Sequence, residues 1–397
     1  MDRLDTTIRT YAWGSPTALP QLLGTAPTGD PQAELWMGAH PGAPSRVDRG
    51  AGPVSLADAI AADPVGELGG PTVEAFGPRL PFLLKLLAAE TPLSLQVHPD
   101  LDQAREGFAD EEARGVPLDA PHRNYKDANH KPEMICALTP FDGLCGFRPA
   151  AEAAELLEGL GVPRLKPYAD LLRARPEGEA LRAVLTAVLT AEPDAMAATV
   201  NAAAEAAVRL APERPAYAPY AALATHYPGD PGVLAAMLLH HIRLAPGEAL
   251  YLGAGVPHAY INGLGVEIMA NSDNVLRCGL TPKHIDVPEL LRIVRFEAAP
   301  PGVLRPAPAP EGSGEEVYPA PIGEFRLSRL PLAAGDPARA LPAGTPQILL
   351  CTEGRATLTG PEGAQLTLER GRSAYVPAGE AVRATGEGTL FRATTAP

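Results

Sequence analysis

The sequence predicts a mainly β protein: a jelly-roll module interrupted by a helical insert, followed by a second, degenerate β-sandwich. Three observations carry this. Residues 1 to about 149, and again those after about 240, alternate short apolar runs with Pro/Gly turns. Residues 150 to about 225 are alanine-rich and place apolar residues at helical spacing. A run at 244–258, LAPGEALYLGAGVPH, lines up with LERGRSAYVPAGEAV at 368–382, as though one β-sandwich module occurred twice. At 397 residues the chain has room for two or three domains with their own cores, and 46% hydrophobic against 20% charged residues is a globular balance.

Taken in order, LPFLLKLLA (80–88) and EMICAL (133–138) read as buried strands of the first module. In the insert, Leu181, Val184, Leu185, Val188 and Leu189 form the apolar stripe of an amphipathic helix, with Glu155, Glu158 and Arg182 on solvated faces. IRLAPGEALYLGAG (242–255) is strand, turn, strand. A Pro-rich stretch at 298–321 reads as an extended linker. Beyond it, strands near 324–332, 347–359, 364–369 and 373–377, with turns at Gly354 and Gly371, predict a sandwich or jelly roll. The expected division is therefore 1–149 with 226–300, an insert at 150–225, and a C-terminal sandwich at 301–397. The 45 Pro and 39 Gly act as turn punctuation rather than as a sign of disorder.

Several function classes drop out. A net charge of −14 disfavours nucleic acid and anionic lipid as partners, while leaving room for a small anion bound by a local cationic cluster. Met1–Trp13 has no apolar core of a secretion signal, and no 18-residue apolar run suggests a membrane span, so a cytoplasmic protein is expected. The four scattered cysteines, Cys136, Cys145, Cys278 and Cys351, read as reduced and buried.

In LSLQVHP (93–99), strand alternation puts Ser94, Gln96 and His98 on one face and Leu95 and Val97 on the other. A lone histidine in such a strand is more often a satisfied core residue than a ligand. Two further segments shift that balance. In NHKPEMICAL (129–138) Glu133 opens an apolar strand, where a carboxylate has little structural reason to be. In GAGVPHAY (253–260) His258 follows a glycine-rich turn and shares a face with Tyr260. Two imidazoles, a carboxylate and an amide oxygen make a mixed N/O donor set that zinc accepts, and that also suits iron, manganese or cobalt. The repeat carries Val382 where the first copy has His258, so the C-terminal copy is expected to be structural.

The runs YAWGS (11–15), ELWMGAHP (34–41), PLSLQVHPD (92–100), NHKPEMICALTPFDGLCGFRP (129–149) and PHAYINGLGVEIMANSDNVLRCGLTPKHID (257–286) closely resemble type I phosphomannose isomerases. QVHP, HKPE and SDNVLRCGLTPK in that order are specific; the insert and the last hundred residues match only in texture. Cys278 stands where that family often has a small residue. The resemblance implies a cupin-type jelly roll with a degenerate second copy and one Zn2+ per chain, other divalent ions being alternatives. Carried over by position, the ligands are Gln96, His98, Glu133 and His258. It also implies a metal-dependent aldose–ketose isomerase that interconverts D-mannose 6-phosphate and D-fructose 6-phosphate by proton transfer between C1 and C2.

Such chemistry needs a base, an enediolate stabiliser and a phosphate holder. Arg277 is the family's catalytic arginine by position; its fork of donors suits an oxyanion or phosphoryl group, and its bland reading is a salt-bridged residue at a strand end. Asp273 either orients Arg277 or caps the turn begun at Asn271. Three bases stay open: Glu267, raised by burial in VEIM; Lys131; or a metal-bound water. Ser94 and Lys283 are the phosphate candidates, and Trp13 and Tyr260 would wall the sugar site, with Trp36 left to packing. Lys85 and Arg148 read as ordinary exposed charges. The rival readings are a cupin metal oxidase or oxygenase and a non-catalytic sugar-phosphate sensor. A monomer is the expectation for oligomeric state, although nothing in the sequence fixes it.

Overall fold

One long strand, His258–Ala270, organises the first module of the computed structural model, which describes residues 1–309 and 313–396. Its first half pairs antiparallel with Phe141–Phe147 and with Leu95–Val97. Its second half lies between Phe82–Ala89 and Glu133–Ala137. The changeover coincides with a register shift between Tyr260 and Asn262. There Gly263 takes φ 132°, and a Cβ on it would sit 2.7 Å from the Phe141 ring, so no larger residue fits the bend. Eleven strands result, with Glu34–Gly38 and Thr7–Arg9 extending one edge, and Ala249–Leu252 and Val303–Leu304 the other. Leu239–Leu244 and Leu276–Gly279 flank the shorter layer.

Alternation then sorts the side chains. Leu87, Ile135, Leu250, Leu252 and Tyr260 fill the space between the two layers. Leu84, Leu86, Met134, Cys136, Val266 and Ile268 point the other way, against Ile348, Leu350, Tyr375 and Phe391 of the C-terminal module. The sheet is thus buried on both faces, which is why its strands read as near-continuous apolar runs. Each such aliphatic side chain contributes roughly 1.5–3 kcal/mol on burial.

The helices that follow run from Ala150–Glu158 to Gly232–Met237, past the expected end of the insert at 225. Leu181, Val184, Leu185 and Val188 form part of their core, with Leu189 packed against it. The same core takes in Leu95, Val97, Leu276 and Cys278, so the apolar side of LSLQVHP rests on the insert. Another helix, Leu101–Ala113, was not anticipated. Asp100 and Gln103 close a capping box at its start, and that D-x-x-Q spacing was its signal.

The C-terminal module is a nine-stranded sheet system built on Arg326–Leu332, Gln347–Thr359, Gln365–Glu369, Ser373–Val376 and Val382–Thr394. The chain's first strand, Asp2–Arg3, joins it beside Ser373–Val376. Gly371 is at a turn as expected, but Gly354 is not. It lies inside Gln347–Thr359, at φ 66° next to a bulge between Cys351 and Glu353. The Pro-rich stretch is not a free linker either: Val303–Leu304 pairs with Ala249–Leu250 and Ala307–Pro308 with Val317 and Glu316, stitching it to both modules. Residues 310–312 of that stretch lie outside the described residues. All four cysteines are free and buried. Among the described residues no single helix is long and apolar enough to cross a membrane.

Candidate active site

Lys85, Glu133 and Glu267 lie on the strand faces that also carry Leu87 and Ile135, so three charged groups project into the first sandwich rather than out of it. They open onto a cavity of about 350 Å3. Lining it are Ser94 and Gln96 from LSLQVHP, Lys131 and Glu133 from HKPE, Tyr260 and Glu267 from the long strand, Arg277 and Lys283 from the segment after it, and Trp13.

Behind the wall to which Glu133 belongs, the fully buried His98 and His258 meet its carboxylate. His98 Nδ1 lies 2.8 Å from the Asn274 carbonyl and His258 Nδ1 lies 2.9 Å from that of Val256. A carbonyl only accepts, so each Nδ1 carries the proton and each Nε2 a lone pair. Both Nε2 atoms stand 3.3 Å from Glu133 Oε2, and all three atoms lack a hydrogen-bond partner. Lone pairs facing one another in a buried spot are held together by a cation, and backbone carbonyls behind ligating histidines are the usual orienting partners. Burial depresses the His98 imidazole to about 4, which keeps it neutral and able to ligate. Burial pushes the Glu133 carboxyl up, but Lys131, 3.0 Å from Oε1, brings it well below the usual range. Gln96 sits opposite His258 in the strand pairing and faces the cavity. The donor set fits a divalent ion.

Positive charge is gathered at the cavity mouth. Arg277 is half-buried and has no carboxylate within ion-pair range among the described residues; burial alone lowers its guanidinium. Lys283 is exposed and lowered by partial burial and by Arg277. Two cations without an ion-pair partner among the described residues line one pocket, on a chain of −14, an arrangement chemically suited to an anion.

A model of the phosphomannose isomerase type I catalytic domain matches residues 1–150. Mannose-6-phosphate isomerase of Escherichia coli (strain K12) is 42% identical over 399 residues, covering 99% of both chains. The chain belongs to the type I phosphomannose isomerases. The Bos taurus mannose-6-phosphate isomerase is 33% identical across 96% of this chain and 94% of its own. A zinc-bound mannose 6-phosphate isomerase structure superposes with a TM-score of 0.90 at 38% identity, covering 100% of this chain and 99% of that one. A phosphomannose isomerase variant from Salmonella typhimurium gives 0.91 at 38% identity, covering both chains fully. These matches favour the isomerase over the oxidase, oxygenase and sensor readings, and they carry the cupin fold to this chain.

Lys85 is not the exposed charge that the sequence suggested. It is 6% exposed, with Nζ 2.9 Å from Glu267 Oε2 and 3.6 Å from Glu34 Oε1. Burial pushes its ammonium down, yet Glu267, Glu34 and Glu133 more than reverse this and keep it charged. Glu267 is raised by burial and by the nearby Glu133 and Glu34, against the pull of Lys85. Arg148 is also half-buried, donating to the Leu239 carbonyl and to the Tyr220 hydroxyl at the root of the insert. Asp273 does not line this cavity: it lies 3.4 Å from His40 Nε2 and lines a different one, and its backbone N–H donates to Asp127. The loop after Ala270 turns it away from Arg277, an orientation that strand alternation does not govern.

Sequence reasoning missed Glu34, Tyr11 and Tyr227. Tyr11 stacks on Trp13 with centroids 5.7 Å apart, at the rim of the cavity. Tyr227 enters from the end of the insert, its hydroxyl donating to the Pro92 carbonyl at 2.7 Å. Glu34 had one legible signal, being the charged residue that opens an otherwise apolar ELWMG strand. Trp36 packs as expected, its Nε1 donating to Glu34 at 2.7 Å.

Proposed function

We propose that this chain interconverts D-mannose 6-phosphate and D-fructose 6-phosphate, with one zinc held by Gln96, His98, Glu133 and His258. The observation that carries the reading is the meeting of three donor atoms, from His98, Glu133 and His258, that have no partner among the described residues, where Glu133 lines a cavity that Arg277 and Lys283 also line. A divalent ion in that place supplies Lewis-acid polarisation of the sugar's carbonyl and hydroxyl oxygens.

The chain's own residues do the rest. Lys283 and the Ser94 hydroxyl take the phosphate, and Arg277 pairs with the negative charge that develops on the enediolate oxygens. Glu267 is the base that carries the proton between C2 and C1. Its raised pKa brings it toward the operating range, and Lys85 holds its carboxylate in place through the 2.9 Å contact. Lys131 balances Glu133. Trp13 and Tyr260 wall the sugar, and the cavity's buried floor limits water around the enediolate. The catalytic unit in this reading is the eleven-stranded module with the helical insert, and the C-terminal sandwich is structural.

The test measures metal stoichiometry and mannose 6-phosphate turnover on one purified sample, before chelation, after it, and after zinc is returned. Turnover should follow zinc up to one equivalent per chain. Undiminished turnover in the metal-free sample, or none in the zinc-loaded one, overturns the proposal.

A further inference from the structure

The segment that carries Lys283 begins with a backbone feature that its own sequence does not explain. Leu280 takes φ 54°, the left-handed region that a branched, non-glycine residue rarely adopts. It is 1% exposed, and the backbone N–H groups of Leu280 and Thr281 both donate to a side chain from outside their own loop. The partner is Asp230, from the connection between the insert's last two helices, Ala218–His226 and Gly232–Met237. Its Oδ1 accepts from the Leu280 N–H at 3.0 Å and from Gly232 N–H at 2.6 Å, and its Oδ2 accepts from the Thr281 N–H at 3.0 Å. The two segments touch at glycines: a Cβ on Gly232 would lie 2.3 Å from Leu280 N, and one on Gly279 would lie 2.3 Å from Gly232 Cα. Only a pair of glycines allows the carboxylate to come this close. Downstream, Thr281 Oγ1 accepts from the Lys283 N–H at 3.1 Å, so the clamp at 280–281 passes directly into the turn that presents Lys283. Leu280, Thr281, Pro282 and Lys283 all line the cavity, whereas Asp230 does not.

We infer that Asp230 is a positioning residue for phosphate binding: its carboxylate, delivered by the insert, fixes the Leu280–Lys283 loop in the conformation that receives the phosphosugar's phosphate. This rests on the reading of Lys283 as a phosphate ligand. It also gives the insert a part in the site beyond its packing, since an ionised carboxylate that accepts three backbone N–H groups is a strong local clamp. Loss of the clamp lets the loop sample ordinary backbone conformations, and the phosphate site is then assembled for only a fraction of the time. Affinity falls by that fraction, while the groups that move the proton stay where they are.

The test uses the zinc-loaded, full-length protein and three variants: Asp230→Asn, Lys283→Ala and the double variant. Readouts are KM and kcat for mannose 6-phosphate, competitive inhibition by inorganic phosphate, zinc content and melting temperature. Asp230→Asn differs little in size and turns one acceptor into a donor opposite an N–H. It should raise KM and weaken phosphate inhibition about tenfold each, with kcat changed less than about twofold and zinc retained. In the Lys283→Ala background the same substitution should add little, because both act on one contact. Unchanged phosphate inhibition in Asp230→Asn, or full additivity with Lys283→Ala, overturns the clamp. Unchanged inhibition in Lys283→Ala with Asp230 intact instead overturns the phosphate role of the loop, so the two failures are told apart. Asp230→Glu, which keeps the charge but displaces it by one methylene, provides the same readouts if the asparagine variant does not fold.

Discussion

Replacing Lys85 by methionine removes the cation that lies between Glu34 and Glu267 and keeps the length of the side chain. At an effective dielectric constant of about 20, its contacts of 2.9 and 3.6 Å correspond to roughly 6 and 5 kcal/mol of gross attraction. Desolvation of the buried ammonium takes back much of that, and removal of one partner from a buried ion pair costs about 3–5 kcal/mol in practice. The variant can soften the loss by letting Glu267 keep a proton, and that makes the deficit depend on pH. Glu267 already has a folded pKa above its unfolded one. Such a group stabilises the fold below its unfolded pKa, and the contribution is lost as pH rises through the folded value. Without Lys85 the folded value moves further up, so the deficit should be smaller near pH 5 than near pH 8. The chain's two tryptophans, Trp13 and Trp36, both lie in the first module, so urea unfolding followed by their fluorescence reports on that module. A deficit under about 1 kcal/mol, or an equal one at both pH values, would show that Lys85 is not the buried counterion described here.

Three further substitutions test the metal and anion sites. His258→Ala should lose zinc and turnover together, and metal analysis of the purified variant checks it; full zinc occupancy would remove His258 from the ligand set. Arg277→Ala should lower kcat/KM by about 10²–10³-fold with zinc content unchanged, on the scale of losing a preorganised oxyanion partner; near-normal rates would refute its role. Val382→His should recruit no second equivalent of zinc under dialysis against the metal, and a second equivalent would contradict the structural reading of the C-terminal copy.

How much of this was legible in the chain depends on where each residue sits. Gln96, His98, Glu133 and His258 stood out because each is a polar residue placed against a strand's alternation or at its mouth, and alternation is a local rule. Lys85 was hidden for the opposite reason. Its strand is buried on both faces, so LPFLLKLLA shows no polar side to which a lysine would belong. Its partners Glu34 and Glu267 come from other strands, and the Lys85–Glu267 pairing is fixed by register rather than by sequence separation. The direction of Asp273, toward His40 and a different cavity, was not legible because it lies in a loop, where spacing does not set direction. The Asp230 clamp was invisible because a left-handed leucine has no signature of its own, and its carboxylate comes from the helical insert.

The two sandwiches show what separates a site from a scaffold. Each is built around a 13-residue strand, His258–Ala270 in the first and Val382–Thr394 in the second. Glu133 pairs with Leu252, and at the matching place in the repeat Gln347 pairs with Val376. The carboxylate has therefore become an amide at the same position in the ladder. That amide is not free to bind anything: its Oε1 accepts from Arg392 Nε at 2.7 Å and its Nε2 donates to the Pro342 carbonyl at 2.9 Å. Val382, standing in for His258, packs among Leu330, Leu349, Val376 and Leu390. A lone histidine introduced there would find a satisfied amide and an apolar wall, whereas His258 finds two other partnerless donors. The backbone plan is common to both modules. Among the described residues a cluster of metal-ligating side chains occurs in the first module, where the His98, Glu133 and His258 atoms have no partners of their own and an ion would satisfy them.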